Sequence, residues 1–505
     1  VSTGIQAQTI VKPSFVNPEW GSIHGTAAAV DVDGDGHCDI VMAGESNYNT
    51  NPPGTSNPER NRMNHVLLYN PTAKTWTSVG ATGLTFPTPA IAFNATIRPS
   101  ITPCDINQDG IMDIVVFETP GMEKIEQPVI DHISTEGIFL GYGDGTFSKT
   151  ATTIINPDGT DSDFKMSWIA SGDVADFNND GLLDIVGVGY HKNEYRVRLY
   201  DEANVVLLNQ GGGCFVVSHF TNDDYVLDYG QKKQTYHLSD AEVNAYDFNN
   251  DGYVDFFVCG ESNDASPLGV SDGTNTHFTE LFLNDPEHPG QFRRQYICDS
   301  RWDSPLTPIS EGGVAIADYN NDGTPDLFIS GWSGNNREKY AWGLYTSTLR
   351  RDGSVVFNDE GNEGLNEMRN QTSTNTQYAA FDWDADGNYD IANVGWSPEL
   401  QTQTAFISTG NGEGKFKSAY RMPGNSEGFV FFNDCNNDGR IDYVTSGQTG
   451  DGTIYDTSDF RKVFVVVNNE FDAPAAPEPP VLGDAFVEGA KVTLTWNDAP
   501  SVKQN

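Results

Sequence analysis

The sequence predicts an all-β chain, folded as a seven-bladed β-propeller of four-stranded blades with a calcium loop in each blade. Two observations predict this fold. A nine-residue acidic motif, D-x-[DN]-x-D-G-x-x-D, occurs seven times at intervals of 52 to 74 residues. Each copy also sits in a similar unit of about four short strands. Four-stranded units repeated at this period are typical of propellers, in which each blade buries its faces against its neighbours.

The seven motifs share Asp at positions 1, 5 and 9, Gly at position 6, and Asp or Asn at position 3. We number them loops 1 to 7: DVDGDGHCD from Asp31, DINQDGIMD from Asp105, DFNNDGLLD from Asp176, DFNNDGYVD from Asp247, DYNNDGTPD from Asp318, DWDADGNYD from Asp382 and DCNNDGRID from Asp434. Such a pattern is not expected to recur by chance in 505 residues, so the repeat is a specific signal.

Short strands surround every motif. A stretch of small or apolar residues precedes it, an apolar strand such as DIVVFE or DLFISG follows, and a hairpin such as GIFLGYGDGTF comes after a variable loop. Gly, Asn and Asp at the hairpin tips supply the positive φ that tight turns need. The last unit lacks an outer strand, so we expect a spare strand around Thr9–Val16 to pair with it and close the ring.

The loop composition indicates calcium. Ca²⁺ takes roughly six to eight oxygen ligands, and a tight loop supplies them at alternate positions. Positions 1, 3, 5 and 9 carry the side-chain oxygens, position 7 offers its backbone carbonyl, and Gly at position 6 permits the turn. About seven Ca²⁺ ions are therefore predicted, bound by Asp31, Asp33, Asp35, His37, Asp39, Asp105, Asn107, Asp109, Ile111, Asp113, Asp176, Asn178, Asp180, Leu182, Asp184, Asp247, Asn249, Asp251, Tyr253, Asp255, Asp318, Asn320, Asp322, Thr324, Asp326, Asp382, Asp384, Asp386, Asn388, Asp390, Asp434, Asn436, Asp438, Arg440 and Asp442.

The formal net charge of −42 supports the calcium prediction and excludes other partners. It argues against nucleic acid and anionic membrane, because both are polyanions. The loops hold 23 of the carboxylates, and seven Ca²⁺ ions would reduce the net charge to about −28. Without metal, repulsion among three or four neighbouring carboxylates should loosen each loop. No apolar run approaches the roughly 20 residues that span a bilayer, so direct membrane insertion is not expected.

The repeated unit resembles the FG-GAP or VCBS repeat of integrin α-subunit propellers, bacterial surface proteins and some fungal lectins. The resemblance covers roughly residues 9–472 and implies a calcium-binding propeller of the bacterial surface type, secreted or displayed on the cell surface. All seven motifs are intact, whereas integrins have such loops in only some blades. We expect a propeller at 1–472, a Pro-rich linker at 473–480, and at 481–505 a segment that resembles the start of a fibronectin type III domain.

A ligand is expected on the propeller face opposite the calcium loops, where the first two strands of each blade have their far ends. Aromatic rings beside hydrogen-bonding groups suit sugars, which have apolar C–H faces and polar edges. The alternative is that these rings only pack against neighbouring loops. Counting seven residues back from each motif and six residues beyond it gives the candidate ligand-binding residues His24, Glu45, Arg98, Tyr190, Asp240, Glu261, Glu311, Trp332, Trp396 and Gln448.

No catalytic motif is found, and the nine histidines are scattered. The sequence therefore favours an extracytoplasmic glycan-binding or adhesion module over an enzyme. Two alternatives stay open: a carbohydrate-active enzyme, such as a polysaccharide lyase or hydrolase, and an integrin-like module that binds a surface protein. The six cysteines show no CxxC pair, and nothing selects a disulfide pairing among them.

Overall fold

The computed structural model describes 21 segments of the chain, most of which are strands and the acidic loops between them. They are residues 9–10, 15–17, 23–45, 62–79, 100–117, 137–166, 169–189, 191–192, 198–199, 204–220, 239–262, 276–299, 306–333, 339–361, 378–397, 402–422, 426–448, 462–466, 468, 481–488 and 491–497. Within them, no helix is both long and apolar enough to cross a lipid bilayer.

Two short strands, β1 (Thr9–Ile10) and β2 (Phe15–Asn17), precede the repeats. Sheet 1 contains β3 (Ile23–Val30), β4 (Asp39–Glu45), β5 (Arg62–Asn70) and β6 (Thr75–Ser78). Sheet 2 contains β7 (Ser100–Cys104), β8 (Asp113–Phe117), β9 (Gly137–Gly141) and β10 (Phe147–Lys149). After β11 (Thr153–Ile155), sheet 3 contains β12 (Ile169–Ala175), β13 (Asp184–Gly189), β16 (Val205–Asn209) and β17 (Cys214–His219). A two-stranded ribbon of β14 (His191–Lys192) and β15 (Arg198–Leu199) lies between β13 and β16.

Sheet 4 contains β18 (Ser239–Tyr246), β19 (Asp255–Ser262), β20 (Thr276–Asn284) and β21 (Phe292–Asp299). Sheet 5 contains β22 (Ser310–Ala317), β23 (Asp326–Ser333), β24 (Lys339–Leu349) and β25 (Val355–Gly361). Sheet 6 contains β26 (Tyr378–Phe381), β27 (Asp390–Ser397), β28 (Thr402–Gly410) and β29 (Phe416–Met422). The last strands are β30 (Ser426–Asn433), β31 (Asp442–Gln448), β32 (Lys462–Val466), β33 (Val481–Glu488) and β34 (Lys491–Asn497).

The described strands form an all-β propeller with six blades of four strands, sheets 1 to 6, each an antiparallel meander in chain order. Two of these sheets gain a fifth, parallel strand at the outer edge: β11 beside β17, and β1 beside β29. A further sheet, which we call the closing sheet, combines β30, β31 and β32 with β2 from the N-terminal region. The strand expected around Thr9–Val16 is divided in two: Phe15–Asn17 pairs antiparallel with β32 as predicted, whereas Thr9–Ile10 pairs with β29 of sheet 6.

Apolar side chains on both faces of each sheet hold neighbouring sheets together. In β13, all six residues from Asp184 to Gly189 are buried, as expected for a strand covered on both sides. Buried clusters lie between consecutive sheets; for example, Phe117 and Ile138 of sheet 2 pack with Ile185 and Leu207 of sheet 3. One cluster joins the two ends of the chain, since Ile40 of sheet 1 packs with residues of the closing sheet such as Phe429 and Val444.

Two cysteines lie in this last cluster, at the boundary between the closing sheet and sheet 1. Cys38 and Cys435 are both buried and both free thiols. A hydrogen bond with the Cys38 thiol, together with burial, raises the pKa of the Cys435 thiol well above its usual range. The contact joins loop 1 to loop 7, so the chain ends meet through buried side chains as well as through β2.

The first two strands of most blades contain a β-bulge that shifts the expected register by one residue. The count of seven residues before a motif and six residues after it pairs His24 with Glu45 and Glu311 with Trp332. The register partner of Glu45 is instead Ile23, and that of Trp332 is Ser310. The same shift makes Ser239 the partner of Glu261 and Ser426 the partner of Gln448. An extra residue on the first strand, which the apolar pattern does not reveal, accounts for the difference.

Two carboxylates connect the innermost strands of successive blades. Asp173 on β12 accepts a hydrogen bond from the Ala245 N–H on β18 at 2.8 Å. Glu242 on β18 accepts one from the Val314 N–H on β22 at 3.4 Å. Loss of hydration, with the charge of Asp173 as a smaller cause, raises the pKa of Glu242 to about 7. Each acid thus provides an acceptor for a backbone donor of the next blade.

The first prediction concerns this pair. Because the folded-state pKa of Glu242 lies above its usual value, the stability it contributes is complete below about pH 4.5 and is lost as the pH rises through about 7. Glu242→Gln keeps an acceptor for the Val314 N–H and removes the buried charge. Relative to wild type, its free energy of unfolding should therefore rise with pH, by roughly 1–3 kcal/mol between pH 5 and pH 8. Denaturant unfolding at the two pH values measures this difference, and a difference independent of pH would contradict it.

Candidate functional site

The seven acidic loops all connect the first strand of a sheet to the second. Loop 4, for example, lies between β18 and β19, and loop 7 lies between β30 and β31. Because the sheets repeat in the same orientation, the loops lie together at one end of the first two strands. The structure therefore brings the 35 residues predicted as calcium ligands to one face of the propeller, in seven separate loops.

Loop 4 represents the local geometry. The Asp247 carboxylate at position 1 accepts the N–H groups of Asp251 at 3.1 Å and Gly252 at 2.9 Å. Asn249 at position 3 accepts the Asp251 N–H through its Oδ1 at 3.0 Å, and Asp251 accepts the Tyr253 N–H at 2.9 Å. These bonds wrap the backbone around the side-chain oxygens, an arrangement that an oxygen-liganded cation would suit.

The aspartate at position 9 has a second, structural role that the motif alone did not indicate. Asp255 is fully buried, and its two oxygens accept the N–H of Phe248 in the loop at 2.9 Å and the N–H of Asn284 on β20 at 2.8 Å. The same pair of bonds occurs in all seven repeats, with the second donor in or just after the third strand: Tyr69, Gly141, Asn209, Asn284, Ser347, Gly410 and Asn468.

Burial makes the position 9 carboxylates weaker acids than usual. Desolvation raises the pKa to about 6 for Asp39 and to about 8 for Asp390, with about 7 for Asp184, Asp255, Asp326 and Asp442. The nearby position 1 or position 5 carboxylates contribute to these shifts through charge repulsion. A cation in the loop would favour the charged form of all these groups.

Carboxylates converge most closely in loops 1 and 6, which carry Asp rather than Asn at position 3. In loop 1, oxygens of Asp31, Asp33 and Asp39 all lie within 4.8 Å of one another. Asp382, Asp384 and Asp390 form the corresponding group in loop 6. The Oδ1 of Asp384 is inaccessible to solvent and has no hydrogen-bond partner among the described residues. Such a donor set, made only of hard oxygens, fits calcium.

Two further positions shape the loops. Gly at position 6 has φ between 83° and 91° in all seven copies, as predicted, and position 4 is also left-handed, with φ between 55° and 74°. The sequence signal for position 4 was its frequent Asn, which tolerates this conformation. Position 2 is buried in every copy: Val32, Ile106, Phe177, Phe248, Tyr319, Trp383 and Cys435. The mainly apolar residues at position 2 were the sequence feature that could have predicted this burial.

The candidate ligand-binding residues lie at the far end of the same strands. Glu45, Glu261, Trp332, Trp396 and Gln448 are at or near the last residue of the second strand in their sheets. His24, Asp240 and Glu311 are near the start of the first strand. Of these side chains, the structure describes that of Trp332, which is partly exposed. Arg98 and Tyr190 lie outside the described residues.

Comparison with known proteins supports the repeat assignment. A model of the FG-GAP-like repeat matches residues 31–116 and 247–329, which contain loops 1, 2, 4 and 5. The chain therefore carries FG-GAP-like repeats. A search of curated proteins finds no match.

Among solved structures, the V. cholerae biofilm matrix protein Bap1 aligns with 11% identity and a TM-score of 0.35, covering 93% of this chain and 92% of Bap1. An endo-1,5-α-L-arabinanase from Thermotoga petrophila aligns with 12% identity and a TM-score of 0.29, covering 90% of this chain and all of the enzyme. A GH43 β-xylosidase/α-arabinofuranosidase from a compost microbial metagenome has 10% identity and a TM-score of 0.29, covering 60% of this chain and 92% of the enzyme. Likenesses this distant transfer no function.

The second prediction separates the roles of positions 9 and 5. Asp255→Asn leaves a buried backbone N–H facing an amide group, so in the presence of a chelator it should lower the free energy of unfolding by roughly 1–3 kcal/mol. Asp251→Asn changes an exposed side chain and should cost less than about 0.5 kcal/mol under the same conditions. Denaturant unfolding of both variants in chelator makes the comparison. Equal losses would contradict the structural role of position 9.

Proposed function

We propose that the chain is a calcium-stabilised, seven-bladed propeller that works outside the cytosol as a binding or adhesion module. We also propose that it recognises a glycan on the face opposite the loops. The observation that carries the calcium part is the convergence of three carboxylates within 4.8 Å in loops 1 and 6. The other five loops carry Asn at position 3, and in each of them its Oδ1 accepts the N–H of the position 5 aspartate.

The closing sheet would be the seventh blade. Its strands β30 and β31 flank loop 7 in the way that the first two strands of the other sheets flank their loops. It packs against sheet 6 through Trp383 and Tyr443, and against sheet 1 through Ile40 and Phe429. A blade built from both ends of the chain would close the ring, with β2 covering the outer edge of β32. We propose that the propeller unit lies within residues 1–472, that 473–480 is a Pro-rich linker, and that 481–505 is the start of a fibronectin type III-like unit.

Calcium would be structural in this protein. In each loop, positions 1, 3, 5 and 9 and the carbonyl of position 7 would hold it, and these groups already fold the loop around one centre. Repulsion is the second argument: besides burial, the charges of Asp386 and Asp382 raise the pKa of Asp384, and a bound cation would relieve this repulsion. Because position 9 also ties the loop to the third strand, occupancy of the loop should stabilise the whole blade.

The third prediction follows from this role. Calcium should raise the melting temperature of the purified protein strongly relative to chelator, because each site contributes about 2.7 kcal/mol when calcium is at 100 times its Kd. Magnesium at equal concentration should have a much smaller effect, since it retains water and prefers a tighter octahedral site. Elemental analysis after dialysis should give about seven calcium ions per chain. Identical melting curves in calcium and in chelator would refute the proposal.

The ligand face is proposed at the ends of the second strands. Those strands are seven to eight residues long in sheets 1, 4, 5 and 6, so their last residues lie roughly 20 Å or more from the loops. Trp332 in sheet 5 and Trp396 in sheet 6 occupy equivalent positions, paired in register with Tyr340 and Gln403. Two tryptophans at equivalent strand positions on adjacent blades, with Glu261 at the corresponding position of sheet 4, are the residue types that would suit stacking on sugars.

The fourth prediction tests this face with the purified, calcium-loaded protein on a glycan array. Wild type should bind one or more glycans without shortening them, and Trp332→Ala and Trp396→Ala should weaken that binding at least tenfold. Both variants should melt near the wild-type temperature, and Trp342→Ala, a partly buried indole on the third strand of sheet 5, serves as a matched control. Shortened glycan chains would indicate an enzyme, and silence across all glycans would favour a protein ligand. Normal binding by both variants would eliminate the proposed face.

A further inference from the structure

The side chain at position 4 of a loop reaches the next loop around the ring. In loop 3, Asn179 donates from its Nδ2 to the Gly252 carbonyl of loop 4 at 3.1 Å. In loop 4, Asn250 donates to the Gly323 carbonyl of loop 5 at 2.8 Å. In loop 5, Asn321 donates to the Oδ1 of Asn388, at position 7 of loop 6, at 2.9 Å. The acceptor is thus at or beside the position 6–7 peptide of the following loop.

Two more contacts extend this pattern. Gln108 of loop 2 donates to the Gly181 carbonyl of loop 3. Asn437 of loop 7 donates to the Gly36 carbonyl of loop 1, and its amide also lies 3.1 Å from the Nδ1 of His37. The second contact crosses the boundary between the closing sheet and sheet 1. Five of the seven loops therefore carry a position 4 amide that is bonded to the loop of the next blade.

Conformational preference alone does not account for these amides. Asn is common at left-handed positions because its short side chain tolerates them, and this would suffice for four of the five residues. Gln has no such advantage, yet Gln108 has a φ of 61° and makes the same contact as the asparagines. The shared property of Asn and Gln is the amide donor, so the contact with the next loop is the feature that the five residues have in common.

The bonded peptide is next to a predicted calcium ligand. In loop 5, the Gly323 carbonyl belongs to the peptide whose N–H, on Thr324, donates to Asp322 at 2.9 Å. The carbonyl of Thr324 is the one that position 7 would offer to the metal. An amide from loop 4 thus fixes one side of the peptide, and the position 5 aspartate fixes the other. The orientation of the position 7 residue depends on both loops.

Two loops lack the connection. Loop 1 has Gly34 and loop 6 has Ala385 at position 4, and neither side chain can donate a hydrogen bond. These are also the two loops with Asp at position 3, whose three carboxylates converge within 4.8 Å. At the boundary of loops 6 and 7, Asn468 still donates to the Trp383 carbonyl, but that carbonyl is at position 2, far along the loop from the position 6–7 peptide.

We propose that the position 4 amides are positioning residues that couple each loop to the next, and that they divide the seven loops into two coupled arcs. Loops 2 to 6 form one arc, and loops 7 and 1 form the other. The coupling is a property of the folded chain; its consequence for calcium, cooperative binding within an arc, rests on the calcium sites proposed above. Loops 1 and 6, which do not hold the loop after them, carry a fourth carboxylate instead.

Hydrogen exchange tests the coupling directly, without calcium. Asn250→Gly keeps the left-handed backbone and removes the amide, and Asn250→Asp keeps the shape and removes the donor. In chelator, both variants should increase exchange about threefold to tenfold in residues 318–326 of loop 5, the magnitude expected for one lost hydrogen bond. Residues 105–113 of loop 2, whose own contact is with loop 3, should exchange as in wild type. An effect confined to loop 4 itself, or spread evenly over all loops, would overturn the proposal.

A gain-of-contact variant provides the converse test. A Cβ at Gly34 would meet no atom within 4 Å, and its φ of 74° is one that Asn accepts. Gly34→Asn should therefore protect residues 105–113 of loop 2 by about threefold or more, while residues 318–326 are unchanged. Unchanged exchange in loop 2 would count against the proposal even where Asn250 variants fold poorly.

A calcium titration monitored by calorimetry tests the predicted cooperative binding of calcium within an arc. Asn250→Gly should reduce the steepness of the binding isotherm relative to wild type, and Gly34→Asn should increase it. If wild type binds no calcium, the proposed metal function fails while the exchange results still decide the coupling. If wild type binds calcium and the steepness is the same in all three proteins, the cooperative consequence is wrong.

Discussion

In each repeat, a fully buried carboxylate at position 9 accepts one backbone N–H from its own loop and one from the third strand. The remainder of the blade depends on this arrangement. The residue is the first of the second strand, so its two bonds fix the loop, the second strand and the third strand relative to one another. A side chain with two acceptors and no donor is required there, because both partners are N–H groups. Asp meets this requirement in the space available at the start of a strand.

The same requirement carries an electrostatic cost. Desolvation of the buried carboxylate, with a smaller contribution from neighbouring carboxylates of the loop, raises the pKa to about 6 for Asp39, about 7 for Asp255 and about 8 for Asp390. Seven such clusters contain more than half of the net charge of −42. A cation bound in a loop would offset repulsion and desolvation at once. The proposed metal and the buried aspartate would then act as one structural unit.

Around the ring, polar contacts supplement the apolar packing between blades. Asp173 and Glu242 receive backbone N–H groups of the following inner strand, and position 4 amides reach the following loop. Contacts in the opposite direction also occur, since Asn284 donates to the Phe177 carbonyl of the preceding loop at 2.7 Å. Apolar clusters tolerate sliding between sheets, whereas these directional bonds do not. They therefore add directional constraints to the packing of one blade against the next.

The sequence by itself determined the repeat, the strands that flank it, the Gly at position 6 and the oxygen-rich composition of the loops. It did so because these features depend on residues close together in the chain: apolar runs form strands, positive φ requires Gly or Asn, and alternating carboxylates make an oxygen cage. The N-terminal strand of the closing sheet was also predictable, because a unit without its outer strand must find one elsewhere.

Only the tertiary structure decided the rest. The bulge that pairs Trp332 with Ser310 depends on how the first strand meets its neighbours, and no local pattern encodes it. The double role of Asp255 needs the N–H of Asn284, which is 29 residues away, and the role of Asn250 needs a carbonyl 73 residues away. Those partners are brought together by blade packing, so the sequence displays the donor or the acceptor but not the pair. Each loop could therefore be predicted from its own sequence, whereas the contacts between loops arise only when the blades pack side by side.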